Sequence, residues 1–165
     1  MHPLTFAVNT KSNAERPKVI AFPPIVILTT FVVAILLHSF WEPLTIFPKW
    51  WIGHIVGWPI TIVGGMLAKW AERNMSKVGV DPKFKPVKAM VTTGPFAKTR
   101  NPMYVGTTKM YLGISLILNT LWPILFLSIL LIYLHFGVVL REEQYLERVF
   151  GDEYRQYKIK VRRWI

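Results

Sequence analysis

Two short blocks hold the residues best suited to chemistry, Arg100-Asn-Pro-Met-Tyr104 and, further along, Arg141-Glu-Glu143. Pro102 fits the first turn of a helix, with Asn101 as its natural N-cap. A guanidinium beside such a helix start joins unpaired backbone N–H groups, so Arg100 at this place forms a receptor for a carboxylate or phosphate. A cation there opposes the helix dipole, so helix stability does not explain it. Gly94-Pro95 upstream permits a tight turn that brings backbone close to a ligand. Glu142 and Glu143, at the expected end of a later helix, can accept hydrogen bonds from ligand hydroxyls or face a cationic ligand. Neighbouring helical residues point about 100° apart, so one of the pair binds ligand while the other holds Arg100 or a tail residue. Arg141 and Arg148 offer a plainer ion-pair role. Each block lies where an apolar run meets a basic segment, and ionisable groups at such a lip are candidates for function.

Those blocks need elements to position them. Apolar residues make up 52% of the 165, and the distribution matters more than the average. No charge falls between Lys18 and Glu42 or between Lys49 and Lys69, gaps of 23 and 19 residues. Each suits one spanning helix of about 20 residues. The third gap, from Lys109 to Arg141, holds 31 residues. As one helix it would run about 46 Å, well beyond a hydrocarbon core of about 30 Å. Asn119-Thr-Leu-Trp-Pro123 breaks it, because Asn favours turns and Pro suits the start of a new helix. The expectation is all-α: an integral membrane bundle of four transmembrane helices, near Pro24–Phe40, Trp51–Trp70, Pro102–Leu118 and Trp122–Leu140. The last two form a tight hairpin, and a cytoplasmic amphipathic helix follows. The first run exceeds a signal-peptide core and lacks a small-residue cleavage site, so it is expected to remain.

The net charge of +11 raises nucleic acid as a partner, and the placement of the charges argues against it. Lys and Arg number 3 before the first helix, 1 in the next loop, 8 from Lys69 to Arg100, 1 at Lys109 and 7 from Arg141 onward. Poor and rich loops alternate, which is the positive-inside pattern and puts both termini and the 69–102 segment in the cytoplasm. The lipid bilayer is the partner this pattern suits. No nucleic acid and no obligate protein partner are expected. Cysteine is absent, which excludes disulfides and thiol-bound metal. No metal site is expected.

Residues 1–20 are a polar arm. Gly53, Gly57, Gly64 and Gly65 fit close helix packing in lipid, with clearance for a cofactor as the alternative. The segment Ala71–Arg100, holding Gly79, Pro82, Pro86 and Gly94, is long for a structureless linker and is expected to be ordered. The tail pattern through Tyr145, Val149, Tyr154 and Tyr157 describes an amphipathic helix interrupted at Gly151, lying on the bilayer or folding back over the bundle. His135, seven residues before Glu142, falls on nearly the same face in an α-helix and is expected as a helix–helix hydrogen-bond partner. Lys109 is expected to snorkel or pair internally.

Val91-Thr-Thr-Gly-Pro-Phe-Ala-Lys-Thr-Arg-Asn-Pro-Met-Tyr-Val-Gly106 resembles the signature of the integral-membrane isoprenylcysteine carboxyl methyltransferase and phospholipid methyltransferase superfamily. So does Arg141-Glu-Glu-Gln-Tyr-Leu-Glu-Arg-Val-Phe-Gly-Asp-Glu-Tyr-Arg-Gln-Tyr157, running on to Val161-Arg-Arg-Trp164. The likeness covers about Gly64–Trp164, the expected catalytic half of a single domain spanning 1–165. Asn101 stands where many members have His, Phe96 where Tyr is common, and Arg162 where the tail often has Pro.

The resemblance implies a methyltransferase using S-adenosyl-L-methionine near the cytoplasmic face. Carried over, Gly94, Pro95, Arg100, Asn101, Pro102, Tyr104 and Gly106 would line or shape the cofactor site, completed by Glu142 and Glu143. Arg100 would hold the cofactor carboxylate, one glutamate the ribose hydroxyls or amine, and Tyr104 the adenine or the neighbourhood of the sulfonium. Arg100, Glu142 and Tyr104 would then be the catalytic set. The acceptor would be lipophilic or small, such as an isoprenylcysteine-like carboxylate, a thiol or a lipid amine, and a lipophilic one would enter sideways from the bilayer. Two other classes are a sterol-type membrane reductase using NADPH and a non-catalytic four-helix protein or transporter.

Overall fold

The computed structural model describes residues 22–41, 43–80 and 89–165. The polar arm and Pro82 and Pro86 lie outside the described residues. Regular structure among the described residues is entirely helical. Helix α1 is Pro23–Phe40, α2 is Trp50–Lys77, α3 is Pro102–Ile117, and α4 is Trp122–Ile132. A π-helical stretch, Tyr133–Val139, joins α4 to α5 (Leu140–Phe150), and α6 is Asp152–Lys160. Three helices are long and apolar enough to cross a membrane: α1, α2 and the continuous rod Trp122–Phe150. Their outward side chains are large and apolar, as with Leu28 and Leu36 on α1, Ile55 and Ile62 on α2, and Ile129 and Phe136 on the rod. In water such surfaces would drive association, whereas in lipid they are the solvated face.

The α3 helix is shorter, with 16 residues. At 1.5 Å per residue it reaches about 24 Å, less than a hydrocarbon core. The break at Asn119 is present and has a physical anchor. Asn119 takes φ 51°, a left-handed conformation that Asn tolerates better than other side-chain-bearing residues. Its Oδ1 accepts from the Phe47 and Ile46 N–H groups at 2.8 and 3.2 Å, and its Nδ2 donates to the Phe47 carbonyl at 3.0 Å. The Leu121 N–H donates to the Leu44 carbonyl at 2.8 Å. The α3–α4 turn is therefore stitched to the α1–α2 loop at the same end of the bundle.

The tightest packing is between α2 and α3, and glycine explains it. A Cβ on Gly57 would lie 2.5 Å from the Gly113 carbonyl oxygen, and one on Gly64 would lie 2.6 Å from that of Gly106. Both are shorter than any real carbon–oxygen contact, so the two backbones touch where side chains would otherwise stand. The glycine stripe thus serves helix packing. On the other side, Phe31 of α1 meets Tyr111 of α3 edge to face at 5.1 Å. Tyr111 belongs to the buried core with Leu127, Leu130, Leu134 and Val138.

Two expectations are corrected. The second helix does not stop at Trp70 but runs to Lys77, absorbing the start of the supposed connection. The helix after Trp122 does not end at Leu140 but continues to Phe150, so Glu142 and Glu143 sit inside a rod and not at its C-terminus. Gly151, at φ 55°, then breaks the chain where the tail pattern was interrupted. Helix α6 folds back: Tyr154, Tyr157 and Val161 are buried against Met90, Leu146 and Phe150.

Candidate functional site

The site forms where the segment before α3, the start of α5 and the residues after α6 converge. Gly94 opens a 3-10 turn at φ 63°, and a Cβ there would strike the Asn74 side chain at 2.7 Å. Its closest neighbour is therefore the end of α2. The turn delivers Thr99, Arg100 and Asn101 against an extended stretch after α6. The Arg100 N–H donates to the Arg162 carbonyl at 2.9 Å. The Thr99 hydroxyl and the Asn101 Nδ2 both donate to the Arg163 carbonyl, at 3.1 and 2.9 Å. Tyr157, from α6, donates its hydroxyl to the Phe96 carbonyl at 2.7 Å.

Asn101 precedes Pro102 at the helix boundary, yet its side chain makes no capping bond to α3. Its amide is engaged by the tail. Position alone suggested a cap, but a backbone carbonyl distant in sequence was the stronger partner.

The two glutamates divide their roles, as adjacent residues on a helix must. Glu143 is 7% exposed and accepts two parallel bonds from Arg163, Nε to Oε1 and Nη2 to Oε2, both 2.9 Å. Arg100 Nη2 lies 3.4 Å from Glu143 Oε1. Glu142 faces elsewhere, and its Oε1 accepts from the Tyr104 hydroxyl at 3.0 Å. Arg100 is 9% exposed, and its Nε and Nη1 are buried without a hydrogen-bond partner. Leaving charged donors unmet in a dry site is costly, so their orientation is informative. Tyr154 packs beside this cluster. Burial first, then the Glu143 charge, holds its phenol well above the usual range, so it stays a neutral donor. The bidentate bond to Glu143 raises Arg163 further above its ordinary value.

A second element of the site is apolar. A groove of about 500 Å³ opens between α1 and α3, lined by Ile27, Phe31, Met103, Thr107 and Tyr111 among others. Tyr104 also lines it. The same side chain thus borders an apolar groove and bonds a carboxylate. Gly106, on the opposite side of α3, is packed against Gly64 and Ala68.

His135 is not on the Glu142 face. The π-helical stretch winds i→i+5 instead of i→i+4, which shifts the phase between the two residues. His135 instead lies 6.1 Å, centroid to centroid, from Trp164, and with Lys109 it lines a smaller cavity of about 390 Å³. Arg163 is the residue that motif reading passed over. Its only sequence signal was membership of Val161-Arg-Arg-Trp164, because a main-chain docking strip has no side-chain signature.

Comparisons with known proteins bear on the family of the chain. A family model described as phospholipid methyltransferase matches residues 52–153, which include both α2–α3 glycine pairs, Arg100, Tyr104 and the two glutamates. An uncharacterized protein of Haemophilus influenzae is 48% identical over 63 residues, 34% of this chain and 100% of its own length. The protein-S-isoprenylcysteine O-methyltransferase of Schizosaccharomyces pombe is 38% identical over 72 residues. That match takes in 44% of this chain and 30% of the yeast enzyme.

Proposed function

We propose, from the premise that this chain belongs to the phospholipid methyltransferase family, that it moves a methyl group from S-adenosyl-L-methionine to a nucleophile on a lipophilic acceptor. Family membership and three apolar helices make it an integral membrane protein. The cofactor, the acceptor and the residue roles are our reading. The observation that carries it is Tyr104, which borders the apolar groove and bonds Glu142. A hydrocarbon chain in the groove would bring its polar end to the carboxylate.

The residues suit the cofactor's parts. Arg100, with two buried nitrogens unmet, fits the cofactor carboxylate. Glu142 fits the ribose hydroxyls or the amine. Pro95, Asn101 and Pro102 shape the backbone around Arg100, while Gly94 and Gly106 let α2 approach on the far side. Glu143 holds Arg100 from beneath. When bound, the cofactor supplies an activated methyl that leaves sulfur for the nucleophile in an in-line displacement. The protein's part is then to orient the partners and exclude water.

A thiolate or carboxylate nucleophile needs no strong base, and this favours such acceptors over an ammonium. The positive-inside distribution of Lys and Arg supports a cytoplasmic site and four crossings, with α3 as the short one. A 2′-phosphorylated nicotinamide cofactor would call for a further arginine, and Arg163 is engaged by Glu143.

The test is transfer of labelled methyl from S-adenosylmethionine by the purified full chain to total membrane lipid, prenylcysteine analogues and small thiols. Label in a lipophilic product supports the reading. Retention of NADPH with none of S-adenosylmethionine would overturn it.

A further inference from the structure

We propose that Arg163 is a positioning residue whose charge keeps Arg100 available to an anionic ligand. Glu143 is a single buried carboxylate placed against two guanidiniums. Were Arg100 its sole partner, the two would form a closed neutral pair, and an incoming carboxylate would meet little net attraction. The shape of the trio is otherwise. Arg163 takes both oxygens of Glu143 in the fork geometry that is strongest for a guanidinium and a carboxylate, at 2.9 Å each. Arg100 keeps a longer contact to Glu143 at 3.4 Å and the neutral Tyr154 phenol beside it, and its Nε and Nη1 are buried and unmet. Two cations on one anion leave this trio net positive, with the less fully paired charge on the buried arginine. Arg163, 32% exposed, keeps part of its solvation while it neutralises Glu143.

The placement of Arg163 depends on main-chain bonds. Its carbonyl receives both Thr99 and Asn101, the residues flanking Arg100. One residue therefore fixes the backbone on either side of Arg100 and sets the charge beneath it. The inference rests on the proposed reading that the anion is the amino-acid carboxylate of an S-adenosyl ligand.

The test compares S-adenosylhomocysteine with 5′-methylthioadenosine, which keeps the nucleoside and thioether and lacks the amino-acid end. Binding of each to the detergent-purified full chain is measured by calorimetry for wild type, R163K, R163Q and E143Q/R163Q. Expected for R163Q is a loss of about tenfold or more in S-adenosylhomocysteine affinity, the scale of one charged hydrogen bond, with methylthioadenosine affinity unchanged. R163K should recover part of the loss. The double variant, in which nothing neutralises Arg100, should bind S-adenosylhomocysteine better than R163Q, and it carries the test if R163Q does not fold. Equal losses for both ligands, or a double variant no better than R163Q, would overturn the inference, as would an R163Q variant that binds like wild type. A wild type that binds neither ligand would overturn the function reading itself, and this inference with it.

Discussion

Helix α3 has two unlike faces, and their difference organises the molecule. Toward α2 it presents Gly106 and Gly113, and the backbones close to contact. Toward α1 it presents Met103, Thr107 and Tyr111, and a groove stays open between the helices. In lipid, apolar side chains gain nothing by leaving the solvent, so close helix contact needs small residues that admit dispersion between backbones. Where those are lacking, the groove stays open. The sealed face fixes how α3 sits against α2; the open face leaves Tyr104 at the edge of the groove.

The largest expected effect comes from breaking the sealed face. Gly113→Leu would drive a side chain into the Gly57 carbonyl and Thr61. Overpacking of this kind costs about 1–3 kcal/mol even where neighbours can move, and here they are backbone. The expected outcome is loss of a monodisperse peak in detergent chromatography; an unaltered melting temperature would show that the helices can separate without penalty.

Next is the charge at the site. Arg100→Ala should weaken S-adenosylhomocysteine by about a hundredfold, near the upper end for a charged hydrogen bond, while Glu143 keeps Arg163 as its partner. Calorimetry showing unchanged affinity would remove Arg100 from the cofactor site. Tyr104→Phe is milder, since it deletes one hydroxyl at 3.0 Å from Glu142. A fall of about tenfold in methyl-transfer rate is expected, the scale of one hydrogen bond, with the melting temperature nearly unchanged.

Filling the open face should sharpen the contrast further. Thr107→Phe places a ring in the groove while sparing the α2 side. The KM for a long-chain acceptor should rise about fivefold, and that for a short one should not, because the term lost is apolar contact worth about 1 kcal/mol. Equal effects on both acceptors would mean that chain length is read elsewhere. The smallest effect belongs to Glu72→Gln, which removes the exposed bridge to Lys69 at 2.8 Å. Stability should change by less than about 1 kcal/mol, providing a reference for the rest.

Local features were legible in the sequence. The apolar gaps located the helices, Asn119 marked the turn, Gly151 marked the tail break, and Gly57 and Gly64 announced close packing. The misjudged features share a cause. Lys77 and Phe150 lie in polar sequence that looked unsuited to spanning helices, yet these helices simply continue past the apolar segment into water. The phase of His135 was misjudged because a π-helical stretch has no strong sequence mark. Asn101 stands at a cap position, but its strongest partner, the Arg163 carbonyl, is 62 residues away.

The sequence by itself determined that the chain is helical and apolar enough for lipid, and that a guanidinium, a phenol and two glutamates stand at its edges. Each follows from composition and short-range spacing, which set periodicity and helix termini without any partner. Only the tertiary structure decided that Glu143 anchors two arginines while Glu142 takes Tyr104, and that Arg163 belongs to the site. Charge pairing depends on distances of a few ångströms between segments far apart in the chain, and those distances exist only once α2, α3 and the tail have packed.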